Sequence, residues 1–596
     1  MSSSTLHPAC IRIASLAFAA LLTAHSTAQK PAPADTILYN AKLWTVDPAR
    51  PEAQAIAITG DTILRVGTDA EVLPLRGPNT HVLDLHGARV LPSFNDAHTH
   101  FENATQWFYE ARLIDVRTED EMKTRIAEAA ARVPAGMWIT AYDAGGMTAW
   151  SAPKGAPSFH PLDPALADLD SAAGGHPLML RRYDGVVFVN SAAMAIARLN
   201  NLVADPPGGR YGRDPITHHL TGALYGKAAD QLVNLLPPAT MASKLIAARA
   251  VLHSLNSVGI TSIHDIARLD AISQLQTYNS DIERSYTDVD IFRNLERQGQ
   301  LTVRVYAFQP LRSSSQLPAF GIQPGSGDRL LRFGALKEFL DGSWMLQPYS
   351  NRPDYSGDVT FRFTSDADEL RMIREADGAG WDIGVHTLGD RALSTLLDWY
   401  SDMEKANGPR PGRRDRVIHM WYANPELIRR AGQMHLIADV TPNQLLADPG
   451  KIEKLIGPDR AKWAFAWRSM IDAGMKLDLV SDMPGLYNRT EVSPINPLEN
   501  IYSAITRKDI SGEPAGGWHP EQCITLKEAI EAYTINPAYA SHEEGVKGSL
   551  QPNKLADLVI LSRDILAGPP SQLLSTHVLL TMLGGEVVYR APDSSW

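Results

Sequence analysis

His98 and His100, separated by a single threonine, sit just past an apolar run that reads as a β-strand. Alternate residues of an extended segment point the same way, so both imidazoles can reach one metal ion. Alone the pair is a weak signal, since two polar residues at a strand end are commonplace. Four further residues with metal chemistry lie at or near the ends of other apolar runs: Lys337 late in 333–340, His386 in 382–387, His419 in 416–420 and Asp482 closing 477–482. Four imidazoles, one carboxylate and one lysine brought together would suit a borderline-soft divalent metal. Lys337 lies inside an apolar strand, which a surface lysine would not, and buried lysines are rare unless matched to a partner.

The elements that must bring these residues together alternate strand with helix. Eight apolar runs stand out, at 90–97, 260–265, 303–308, 333–340, 382–387, 416–420, 437–441 and 477–482. Amphipathic segments fit between them; in 244–257 Leu245, Ala248, Leu252 and Leu255 mark one face and Gly259 closes the end. Eight such units predict an α/β fold, a (β/α)8 TIM barrel over 92–544, whose strand ends face the active site. The gap after the first strand is too long for one βα unit, so about 101–240 should form an inserted subdomain. Short β-runs at 35–91 and 545–596 predict a small β-sandwich domain built from both termini.

The 596-residue chain has 44% hydrophobic and 21% charged residues and a net charge of −11, the balance of a folded protein rather than a disordered or fibrous one. Its acidity and lack of basic runs argue against nucleic acid as a partner and leave a small-molecule substrate. Residues 1–28 read as a signal peptide: Arg12, an apolar run at 13–24, then Ser26-Thr27-Ala28 with small residues at the cleavage positions. The run is shorter than the ~20 residues a membrane span needs. A secreted or periplasmic protein with no span after cleavage is expected. Cys523 would then be the one remaining cysteine, so no internal disulfide is available and stability rests on the core. Homo-oligomerisation is left open.

The segment Leu91-Pro92-Ser93-Phe94-Asn95-Asp96-Ala97-His98-Thr99-His100 resembles the opening motif of the amidohydrolase superfamily. Lys337 with Phe339 and Asp341-Gly342, then His386-Thr387-Leu388-Gly389-Asp390-Arg391-Ala392, is similar to the YtcJ-like branch (amidohydrolase family 3). Ala532 to Ala538, Lys547 to Leu550, Lys554 to Leu558 and Gly584-Gly585 extend that resemblance over almost all of the chain from Thr36 to Tyr589. It implies two divalent metal ions, zinc by donor type, with His98, His100 and Asp482 on one and His386 and His419 on the other. Lys337, carboxylated by carbon dioxide to a carbamate, would bridge them and supply the anionic oxygens that an ammonium lacks. The implied reaction is hydrolysis of a C–N bond (amide, N-acyl or N-formyl) by a metal-bound hydroxide, with Asp482 as general acid and base.

Other residues carry less. Asp390, Arg391, Tyr422 and Gln444, with Asn443, are expected to line the substrate pocket from loops after the later strands. His264-Asp265 could support the ligands or simply pair, and His218-His219 reads as surface. Two departures from the family pattern fall in the insert, where Val186 follows Asp184-Gly185 in place of a histidine and Ala141-Tyr142-Asp143-Ala144 replaces a Gly-Trp-Asp pattern. Both bear on the substrate rather than on the metal. The same centre could serve a lactonase, esterase or phosphotriesterase, and a non-catalytic exported regulator is the alternative outside enzymes.

Overall fold

The computed structural model describes residues 33–113, 116, 118–142, 162–182, 185–233, 235–237, 239–269, 286–341, 365–445, 452–453, 456–484 and 495–596. The expected signal segment lies outside them, as do Asp143, Ala144 and Asp184 of the departing motifs.

Eight parallel strands form the frame: β1 (Phe94–Thr99), β2 (Ile260–Arg268), β3 (Arg304–Pro310), β4 (Leu331–Phe339), β5 (Asp382–Thr387), β6 (Arg416–His419), β7 (Ile437–Val440) and β8 (Lys476–Leu479). Each pairs with the next from β1 to β8. Their residues are almost continuously buried, as strands covered on both faces must be. Helices Asp366–Gly378, Asp390–Asn407, Pro425–Gln433 and Trp467–Asp472 occupy the connections from β4 to β8. The barrel is nearly closed. Past the last ladder, Asp482 N donates to His98 O (3.1 Å) and His100 N to Met483 O (2.7 Å), joining the β8 end to β1.

Most expected strand limits shift by one to three residues, and the first and last runs change in kind. The run at 90–97 is two strands: Arg89–Pro92 pairs with Leu558–Leu561 and Lys42–Trp44 in another sheet, and the barrel strand begins at Phe94. Both halves are fully buried, so no change of period marks the break at Ser93. The last run ends its ladder at Leu479 rather than at Asp482, because the chain has turned toward β1 by then.

The six-stranded sheet that contains Arg89–Pro92 draws strands from both ends of the chain, and a four-stranded sheet lies within residues 36–84. They share an apolar core of Leu38, Ile56, Val90, Leu558, Ile560 and Leu580. Between β1 and β2 a separate six-stranded sheet, with strands from Glu110–Arg112 to Leu220–Gly226, has apolar clusters of its own. His218 and His219 are exposed on it.

One buried ion pair clamps the end sheet to the barrel. Arg304, on β3, donates from Nε (2.7 Å) and Nη2 (2.9 Å) to the two oxygens of Asp557, which also accepts from Gly584 N at 2.7 Å. Removing one member of such a pair strands the other in a dry site, at about 3–5 kcal/mol. Asp557→Ala should therefore lower unfolding stability by about that much in urea denaturation; a loss below about 1 kcal/mol, the range of an exposed pair, would contradict the clamp.

Candidate metal centre

β1 delivers its two histidines because both sides of the strand end are held. Thr99 turns to one side, where its hydroxyl donates to Asp265 Oδ1 (2.7 Å); the same oxygen accepts from Phe101 N (2.8 Å). His98 and His100 turn to the other, with ring centroids 5.3 Å apart. Their Nε2 atoms lie 3.4 and 3.3 Å from Asp482 Oδ1, and the three residues could hold one ion. Asp482 reaches this position in the left-handed region, at φ +55°. Few residues other than glycine adopt it, although Asp and Asn do so more readily than most.

The remaining residues continue the cluster. The His419 ring is 5.4 Å from His98 and 4.5 Å from His386. His419 also has a positive φ, +76°, and its Nδ1 lies 3.2 Å from Thr441 Oγ1, which leaves Nε2 for the centre. Phe339 stacks at 5.3 Å against His386, and Lys337 Nζ sits 4.5 Å from the same phenyl ring, wholly buried. Asp341, just past β4, accepts from Leu388 N (2.9 Å) and Gly389 N (2.8 Å), and so fixes the turn that follows His386.

Burial sets the protonation of this cluster. It drives His98 and His386 well below the ordinary histidine range, helped at His98 by Lys337 and at His386 by His419. It takes His419 down to about 4 and Lys337 down to about 7. For Asp482 burial pulls upward, yet the hydrogen bond with His100 and the nearby His419 hold the carboxyl below its usual value. Neutral imidazoles beside a carboxylate are the forms in which these groups bind a metal. Among the described residues both ring nitrogens of His98, His386 Nε2 and Lys337 Nζ are buried without a hydrogen-bond partner. Buried polar atoms left in this state cost about 1–3 kcal/mol each, and several in one place suit a bound cation.

The residues expected to line the substrate pocket lie as follows around this cluster. Gln444 is bonded within the cluster, its Nε2 donating to Asp482 Oδ2 at 2.8 Å. Tyr422 is buried against Phe465 (6.3 Å), its backbone N donating to Leu388 O. Asp390 opens the helix after His386 with Arg460 Nη1 3.9 Å away, and Arg391 is half-buried next to it. The side chain of Asn443 lies outside the described residues. His264 belongs to another layer: its Nδ1 lies 3.0 Å from Arg416 Nη1, and Arg416 stands at the opposite end of the same strand from His419. Asp265, expected with His264 either to support the ligands or simply to pair, holds the β1 end through Thr99 and Phe101; Asp341, Thr441 and Trp421 hold the site without having been singled out for it. Asp341 alone stood in a recognised motif, Asp341-Gly342.

The profile of the amidohydrolase family matches residues 81–589. The putative amidohydrolase YtcJ of Bacillus subtilis is 27% identical over 86% of this chain and 91% of its own. The N-substituted formamide deformylase of Arthrobacter pascens is 27% identical over 94% of this chain and 99% of its own. Among solved structures, an uncharacterized metal-dependent hydrolase from Pyrococcus horikoshii shares the fold, with a TM-score of 0.66 at 19% identity over 90% of this chain and 99% of that one.

If Asp341 positions His386 through the Leu388-Gly389 turn, Asp341→Ala should weaken zinc binding about 10–100-fold, the usual range for a residue that orients a ligand. Competition against a chromophoric chelator measures this, and an unchanged affinity would rule the positioning out.

Proposed function

The chain belongs to the amidohydrolase family, and on that premise we propose that it is a metal-dependent hydrolase cleaving the C–N bond of a small N-formyl or N-acyl compound. The observation that carries the reading is the gathering of His98, His100, His386, His419, Lys337 and Asp482 at one end of the barrel, where among the described residues both His98 ring nitrogens, His386 Nε2 and Lys337 Nζ are buried without a hydrogen-bond partner. The formamide deformylase relative supports the choice of bond.

His98, His100 and Asp482 would hold one cation and His386 and His419 a second, with a carbamate on Lys337 between them; zinc suits these donors. When bound, such cations supply Lewis acidity, which activates water and polarises a carbonyl. Asp482 takes the proton of the attacking water and returns it to the leaving nitrogen, so that the amine departs neutral. The neutral histidines keep their lone pairs for the cations and leave this proton to the carboxylate. Export on the 1–28 segment would place the reaction outside the cytoplasm.

The test is a panel of N-formyl amines, N-acyl amines, lactones and phosphotriesters, with wild type beside Asp482→Asn. An amide or formamide should be turned over, and the variant should lose about 10²–10⁴-fold in kcat while keeping most of its metal. A variant near the wild-type rate would remove Asp482 from the proton transfer. Turnover confined to lactones or phosphotriesters would overturn the choice of bond.

A further inference from the structure

Gln444 follows β7 in the short helix Pro442–Leu445 and is 5% exposed. Among the described residues its side chain makes two hydrogen bonds: Oε1 accepts from Trp421 Nε1 at 3.0 Å, and Nε2 donates to Asp482 Oδ2 at 2.8 Å. An indole N–H only donates, so the amide must turn its carbonyl to Trp421 and its NH2 to the carboxylate. The orientation of the amide is thus dictated by its partner rather than by an arbitrary choice between O and N. Trp421 is itself fixed: it is buried, stacked on Phe465 at 5.6 Å, and its carbonyl accepts from Phe465 N at 2.7 Å.

The two oxygens of Asp482 therefore have different surroundings. Oδ1 faces the Nε2 atoms of His98 and His100, and Oδ2 faces a neutral amide donor. We propose that Gln444, oriented by Trp421, is a positioning residue that fixes the rotation of the Asp482 carboxylate, assigning Oδ1 to the cation and Oδ2 to the proton; this rests on the hydrolase reading above. A carboxylate oxygen has two lone-pair sites, so Oδ2 can accept from Gln444 and still take a proton. A neutral amide suits the task, since it orients the carboxylate without adding a charge against it. Glutamate in its place would set two carboxylates face to face, and neither Trp421 nor Asp482 could correct that. Both ends of the side chain are engaged by groups of the protein, Trp421 and Asp482, which favours positioning over contact with substrate.

Three variants test the proposal. Gln444→Met keeps length and bulk but removes both bonds; Gln444→Glu keeps the acceptor for Trp421 and reverses the end facing Asp482; Trp421→Phe frees the amide to flip. Each is assayed for kcat and KM on the best substrate of the panel, and for zinc affinity by chelator competition. Gln444→Met should lose about 10–100-fold in kcat with KM within about twofold, and should bind zinc more weakly. Gln444→Glu should lose at least as much, and Trp421→Phe less. A rise in KM with kcat unchanged would make Gln444 a substrate contact and overturn the proposal. So would wild-type kcat and zinc affinity in Gln444→Met. Should Gln444→Met fail to fold, Trp421→Phe decides by the same readouts. If the wild type hydrolyses nothing in the panel, the hydrolase reading falls, and the zinc measurement still decides whether Gln444 aims Oδ1.

Discussion

Between His98 and Met483 the first strand and the end of the last are joined by main-chain hydrogen bonds, Asp482 N to His98 O and His100 N to Met483 O. Asp96 reinforces the same seam, its Oδ1 accepting from Ser481 N (3.0 Å) and from His98 N (3.3 Å). These bonds hold the barrel shut, and three of the residues that make them, His98, His100 and Asp482, also bring their side chains together at the centre. Closing the barrel and assembling the candidate ligands are therefore one event. A shift of β8 along β1 would carry Asp482 away from both histidines at once, which is a stronger constraint than any single side-chain contact could impose.

Below the centre the barrel interior carries ionisable side chains beside the aromatic rings of Tyr306 and Phe308. Arg416 on β6 lies 3.4 Å from Asp439 on β7 and donates to Ala540 O at 2.9 Å, while its Nη1 reaches His264 on β2. Asp478 on β8 is paired in register with Asp439, and burial together with that neighbour pushes its carboxyl well above the usual range. Buried charges are costly unless geometry and partners are good, so a layer of this kind favours one arrangement of four strands over its near alternatives. It also gives His264 its role: the ring is committed to Arg416 and Asn95, away from the cluster around Asp482.

Much of this was legible in the chain. A period of two puts His98 and His100 on one side of β1, and a strand end in a barrel of this kind faces the site, so type and position together single out the four histidines, Lys337 and Asp482. The break at Ser93 was not legible, because burial on both sides erases the pattern that would have revealed it. The bond from Gln444 to Asp482 spans 38 residues and that from Trp421 to Gln444 spans 23, distances at which a sequence offers no clue to contact. The part played by Asp341 was hidden for the same reason, since it accepts from backbone amides beyond another strand; Asp265 was named beside His264, but its partner Thr99 was not, because nothing local in the sequence marks such partners.

The proposed centre at the strand ends would hold two cations bridged through Lys337. The most direct measurement is zinc per chain on folded protein reconstituted with zinc and bicarbonate, for wild type and Lys337→Ala. The wild type is expected to hold two equivalents, falling to one or none in the variant. A wild type that retains no zinc, or a variant that keeps both ions, would contradict the bridged centre.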